Sequence, residues 1–468
     1  MNTNRKCRLT IGGCTALLLA MTIWTTGCGG GDPSLPENGS VTEAETEGLP
    51  ALTDDRTLTD LSPYVARLDS AFGDTEAVPP EELTYTIGED GVTLTGYTGT
   101  AEDVVIPAEI DGLPVVAVAA DCFRDKSFRS LCLPDGIRRI APNALIGCDR
   151  LQLLRLPVCT AEGQAWFGGL FGATSYTGNT RAVPSTLSTL ILSGGGDIPA
   201  YCFYGCTGLE VVEPASDTEQ IGDFAFYGCA ALAYLSLPET LTSVGTYALA
   251  NCTSLIRMEV PSRVRSLGGH LLEGCGRLES LTLPFPGGSA DGENSYLGYL
   301  FGAEHYTLSE GFLPSALMRV ELSEGITSVP ANAFYECSRL REVVLPATVT
   351  NIQHRAFYRC AYLTEITLPA NLTALGDEAF AGCSRLPQVD LSMLTSTEGW
   401  GIQTFRGCLG LAEVTLAEGI TALPSGSFEG CSSLERLTGA TELRIDQTAF
   451  RGCPLLTRAE ESQTQNGD

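Results

Sequence analysis

Histidine is nearly missing from this chain: His270, His305 and His354 are the only three in 468 residues, and they fall in separate segments. There is also no His-Glu-x-x-His, no Gly-x-Ser-x-Gly and no glycine-rich phosphate loop, so no familiar hydrolytic, metal-dependent or nucleotide-binding machinery is recognisable. Gly194-Gly195-Gly196-Asp197 reads as a turn, without the Lys-Ser/Thr that a phosphate cradle needs. Basic side chains are few, 28 against 56 acidic ones, for a net charge of −28. That balance disfavours nucleic acid and anionic membrane surfaces as partners. Eighteen cysteines are present but no Cys-x-x-Cys pair, so zinc lacks its usual ligand spacing. These absences predict a protein that is not an enzyme, with no cofactor and no metal.

What the chain has instead is a period. Cys229, Cys252 and Cys275 stand 23 residues apart, as do Cys337, Cys360 and Cys383. A unit read from Leu232 runs Leu235, Leu237, Pro238, Leu241, Val244, Gly245, Ala248, Leu249, Cys252, and the next opens at Leu255. The Leu-x-x-Leu-x-Leu stretch alternates with period two, as a short strand with one buried face requires. Proline after it ends the strand, because it has no N–H to give. The later Ala-Phe-x-x-Cys phrase turns the chain back. A period in the twenties is the mark of a solenoid, whose coils bury their apolar faces only against one another.

This pattern resembles the BspA-like leucine-rich repeats of bacterial surface proteins, over roughly Tyr85 to Leu456. The resemblance implies an α/β repeat solenoid, a right-handed coil with short parallel strands on one face and short helices or turns on the other. Coils opening near Ala101, Phe128, Leu151, Leu187, Leu209, Leu232, Leu255, Leu278, Leu317, Leu340, Leu363, Leu386, Leu411 and Leu434 give about 14. The family's association with adhesion implies binding of a protein or glycan through the extended surface. A structural spacer or self-assembling envelope element is the alternative, and an enzyme with an unrecognised site is a remoter one.

The N-terminus has its own logic. Arg5, Lys6 and Arg8 precede the apolar stretch Leu9 to Trp24, and Thr25-Thr26-Gly27-Cys28 follows, which reads as an export signal too short for a confident membrane span. It resembles a bacterial lipoprotein processing site, with Thr25 where that pattern usually has Leu. Lipid attachment at Cys28 would place the chain at the cell surface, bound to the bacterial membrane only through that anchor; cleavage without lipidation is the alternative. The expected organisation is a signal over 1–28, an acidic flexible linker over 29–83, a capping hairpin over 84–100, the solenoid over 101–457 and a polar tail over 458–468. Within the linker, Ser62 as cap, Pro63 at the first helical position, the apolar set Leu61, Val65, Leu68 and Phe72, and Gly73 as terminator suggest a short docked helix.

Two units are long, 36 residues from Leu151 to Leu187 and 39 from Leu278 to Leu317. Their inserts, 157–186 and 284–316, share Leu-Phe-Gly-Ala blocks starting at Leu170 and Leu300, followed by Tyr176 and Tyr306, so a block of coils looks duplicated. Inserts in repeat proteins often bind, although Leu-Phe can simply pack the loop onto the coils. Two exposed ladders are further candidates. One is Glu342, Glu365 and Glu413 on the strand face, matched by Arg257, Arg319 and Arg436 elsewhere. The other is Tyr204 with Tyr227 and Tyr335 with Tyr358, following the phenylalanines of successive coils. Either ladder can instead be an ordinary solvated face. In-register cysteines are expected as buried filler, leaving Cys132 and Cys159, which lie off the ladder, as the better candidates for a bridge.

Overall fold

The computed structural model describes residues 58–456 apart from positions 74, 195, 441 and 445–447. The expected signal, Cys28, the linker up to Thr57 and the tail 458–468 lie outside the described residues.

Fourteen coil-opening strands lie in parallel ladders of six, five and three, from Asp103–Val105 to Arg436–Thr438, one for each opening position read from the sequence. The register is residue for residue: Arg319 faces Glu342, Glu342 faces Glu365, and Glu413 faces Arg436. Alternation sets burial, so that Val414 and Leu416 point inward while Glu413 and Thr415 stay half-exposed. At the N-terminal end, Leu83–Gly88 pairs antiparallel with Gly91–Tyr97 around Glu89-Asp90. The second of these strands runs parallel to Leu113–Val118, so the open edge of the stack is paired. Counted with this hairpin, the solenoid makes about 15 turns.

A second ladder follows several of the opening strands. It is built of two-residue strands, for example Gln220–Ile221, Ser243–Val244 and Ser266–Leu267, too short for alternation to reveal. The Ala-Phe-x-x-Cys side is a succession of turns rather than helices. Its backbone bonds run from coil to coil: the Phe334 N–H donates to Ala356 O at 2.8 Å and the Phe357 N–H to Ala379 O at 2.7 Å. Among the described residues, α-helix occurs only at Ser62–Asp69, Asn179–Ala182 and Ser309–Phe312.

Phenylalanine forms the spine of the core. Phe334, Phe357, Phe380, Phe405, Phe428 and Phe450 stack face to face at 4.9–5.6 Å between centroids. The cysteines run alongside as free, mostly buried thiols, and they do more than fill space. Many of them donate to the carbonyl of the phenylalanine one coil back: Cys229 to Phe203 at 3.1 Å, Cys252 to Phe226 at 3.3 Å and Cys360 to Phe334 at 3.1 Å. Burial pushes the Cys229 and Cys275 thiols up to about 12, which keeps them neutral and unreactive. The two off-ladder cysteines do not meet as a bridge. Cys132 takes a 3.8 Å contact from the Arg155 guanidinium, and Cys159 lies against Cys202; all are free thiols.

The helix Ser62–Asp69 sits across the opening-strand face. Thr59 donates from both N–H and O–H to the Glu279 carboxylate, at 2.7 and 2.6 Å, and Arg67 pairs with Glu210. Ser62 is not the cap: the residue before the helix is Leu61, no side chain caps the helix, and the Ser62 hydroxyl donates to Asp60 instead. Val65, counted above with the docking face, is exposed.

Candidate functional site

Both inserts fold back on the coils in the same way. Each forms a 3₁₀ turn, Phe167–Phe171 or Leu297–Phe301, closed by a left-handed glycine, Gly172 (φ 97°) or Gly302 (φ 99°). Leu170, Phe171, Leu300 and Phe301 are buried, so the Leu-Phe pairs are packing residues. The tyrosine that follows reaches the turn side of the coils. Tyr176 lies 5.2 Å from Tyr204, which stacks on Tyr227 at 5.1 Å and 7°. Tyr306 lies 5.1 Å from Tyr335, which stacks on Tyr358 at 5.0 Å and 17°. The structure thus brings each insert tyrosine onto the tyrosine ladder of its own block.

The glutamate ladder stays on the strand face and is largely neutralised there. Arg319 bonds Glu342 at 2.9 Å and Glu321 at 2.8 Å, Arg436 bonds Glu413 at 3.3 Å, and Glu365 is exposed beside Glu342. Exposed pairs of this kind contribute roughly 0–1 kcal/mol each. They follow from in-register opposite charges and mark no separate site.

A column of aromatics that sequence reasoning missed runs beside the first tyrosine ladder. Tyr201, Phe224, Tyr247 and His270 stack in succession at 5.0, 4.9 and 4.5 Å, with planes within 18°. Tyr176 closes one end, 4.5 Å from Tyr201. At the other end the His270 ring bonds Glu273 at 2.7 Å, and a Cβ on Gly302 of the second insert would stand 2.7 Å from His270 Nδ1. The column therefore spans the coils between the two inserts. All four residues hold positive φ, from 55° to 62°, a region that bulky side chains rarely enter. The same slot elsewhere holds Asp121, Asn143, Asn332, Arg355, Glu378 and Gln403, also at positive φ. The signal was in the sequence, as aromatic rings at 23-residue spacing two places before the buried Phe or Leu, but no alternation marks it.

Residues 186–288, 309–400 and 392–465, more than half of the chain, match the family model for the BspA type leucine rich repeat region, in six copies. This chain belongs to that family. No curated protein matches it. Solved structures that resemble this BspA-type protein include a leucine rich cell surface protein from Faecalibacterium prausnitzii, at 19% identity over 82% of this chain and 99% of that one, TM-score 0.28. A leucine-rich repeat protein from Bacteroides ovatus is 20% identical over 82% and 93%, TM-score 0.28. The pneumococcal vaccine antigen PcpA is 19% identical over 81% and 92%, TM-score 0.30.

Within these BspA-type repeats the two blocks differ. In the second, Arg355 and Arg359 cover the Tyr358 ring at 5.4 and 5.3 Å, and Arg355 pairs with Glu378. Tyr335 is almost fully buried, and burial pushes its phenol up to about 12. Beside the second insert lies a groove of about 790 Å³ bounded by Asp291, Glu293, His305, Tyr306 and Gln353. Among the described residues no three of His, Cys, Asp or Glu come together as a metal site, and no helix is long and apolar enough to cross a membrane.

Proposed function

We propose that this BspA-type protein is a non-catalytic binding protein of the bacterial cell surface, using the turn side of its coils to hold a protein or glycan. The observation that carries the reading is the tyrosine set that each insert completes: Tyr176 on Tyr204 and Tyr227, Tyr306 on Tyr335 and Tyr358. Rigid tyrosines are enriched where proteins meet partners, because they bring large contact area with little rotamer entropy to lose. The test is capture by the purified chain of matrix proteins, glycans and the producer's own envelope. Changing Tyr204, Tyr227, Tyr335 and Tyr358 to Ser should weaken capture about tenfold or more, with circular dichroism unchanged. Equal capture by this variant would remove the tyrosines from the account.

The same reading assigns residues 1–28 to export, Cys28 to lipid attachment and the acidic segment after it to a spacer. A diacylated cysteine with a further acyl chain supplies the multiple buried chains that stable anchoring takes. Cys28→Ser should abolish incorporation of radiolabelled palmitate and release the protein from the membrane fraction; label retained in that variant would exclude Cys28 as the acceptor.

A further inference from the structure

The geometry points to the column Tyr201–Phe224–Tyr247–His270, closed by Tyr176, as the docking strip for a neutral, extended polysaccharide. This rests on the binding reading above and names the ligand class.

Backbone strain is the first argument. Four bulky rings occupy left-handed backbone in consecutive coils, where a non-glycine residue is costly unless it is Asn or Asp. Coil construction does not ask for them: Asn143 and Asn332 take the same slot with the same backbone. Stacking recovers part of the cost, but Asn would avoid it. Bulky aromatic rings hold this left-handed slot in four adjacent coils, and in none of the equivalent coils of the second block, where Asn332, Arg355, Glu378 and Gln403 take it; the aromatic run is confined to the surface that the inserts bracket.

The chemistry exposed is the second argument. Ring faces are consumed inside the stack, so solvent meets ring edges and phenol groups, with the more open Tyr176 ring at the end. No described residue hydrogen-bonds the phenols of Tyr201, Tyr204, Tyr227 or Tyr247. In a chain of net charge −28, the slot carries no formal charge over Tyr201, Phe224 and Tyr247, whereas its counterparts in the second block include Arg355 and Glu378. Apolar edges interleaved with free hydroxyls match a sugar, which offers C–H faces and hydroxyls together.

Period is the third argument. The rungs repeat every 4.5–5.0 Å, close to the advance per sugar of an extended glycan. A regular polymer meets each rung in the same way, while the surface of a folded protein does not repeat.

The experiment is affinity electrophoresis and titration calorimetry of the purified full chain with hydroxyethylcellulose, soluble starch and galactomannan, with immobilised gelatin as the protein arm. At least one neutral polysaccharide should retard the unaltered chain. The triple variant Tyr201→Asn, Phe224→Asn, Tyr247→Asn should lose about tenfold or more in affinity, while its melting temperature stays within about 4 °C. Tyr201→Phe with Tyr247→Phe keeps the stack and removes only hydroxyls, and should weaken binding several-fold; it serves if the triple variant does not fold. No retardation by any of the three polysaccharides, or unchanged binding in both variants, overturns the assignment. Capture of gelatin without polysaccharide would overturn the ligand class and leave the binding reading standing; capture of nothing, here and in the envelope pull-down, would sink both.

Discussion

Phe357→Ala is expected to cost about 3–5 kcal/mol of folding stability, the range for deleting a large buried side chain whose site cannot collapse. Phe357 is wholly buried and lies between Phe334 at 5.0 Å and Phe380 at 4.9 Å, with planes within 9°. Its own backbone N–H is tied to Ala379 O in the next coil at 2.7 Å. Neighbouring rings therefore cannot slide inward to fill the gap without breaking the bonds that set the coil spacing. In a solenoid each coil is stabilised by its two interfaces, and this ring serves both. Hydrogen exchange should accordingly rise on either side of the substitution before it rises at the hairpin. Guanidinium unfolding followed by circular dichroism reads the total, and a loss below about 1 kcal/mol would show that stacking is incidental to the core.

A charge in the cysteine ladder should do more damage than the lost ring. Cys360→Asp places a carboxylate where the thiol is wholly buried and donates to Phe334 O at 3.1 Å. An ionised carboxylate cannot donate, so it would face a carbonyl oxygen with no counter-charge, at a cost of several kcal/mol. The variant is expected to be insoluble or unfolded at neutral pH. Cys360→Ser, by contrast, keeps a small donor aimed at the same carbonyl and should cost no more than about 1–2 kcal/mol. Thermal melts of the two side by side separate donor from filler. Should serine prove as damaging as aspartate, apolar character rather than the hydrogen bond would be what the slot demands.

Most of the architecture was legible because one period governs it. Leu232, Leu235 and Leu237 announce a strand, Pro238 its end, and Cys252 the closing of a coil, and most of the ordinary coils repeat much of the phrase. The second ladder was not legible: two residues such as Ser243–Val244 are too few for alternation to show. The donor role of the cysteines was hidden for another reason, since the acceptor belongs to the backbone of the preceding coil. At the candidate site, Tyr204 and Tyr227 stood out because they follow the conspicuous Phe203 and Phe226. Tyr201, Phe224, Tyr247 and His270 share a slot defined by backbone dihedral rather than by burial, and a hydropathy pattern carries no trace of that. The strand-face glutamates lie on the strands as the pattern placed them, but the arginine partners of Glu342 and Glu413 lie one coil away, and only register shows those pairings.

The bond from a ladder cysteine to the phenylalanine carbonyl one coil earlier, 26 residues back at Cys229, Cys252, Cys360, Cys383 and Cys431, has a consequence for how such a gene changes. The junctions these five bonds span are chemically alike. Unequal crossing-over that adds or removes a whole 23-residue unit would create no new kind of interface, and a coil of another length has to keep the donor in place, as the one from Leu386 to Leu411 does: Cys408 still reaches Phe380 O, 28 residues back. A gene of this kind can therefore change length by one unit at a time without asking its coils to meet in a new way.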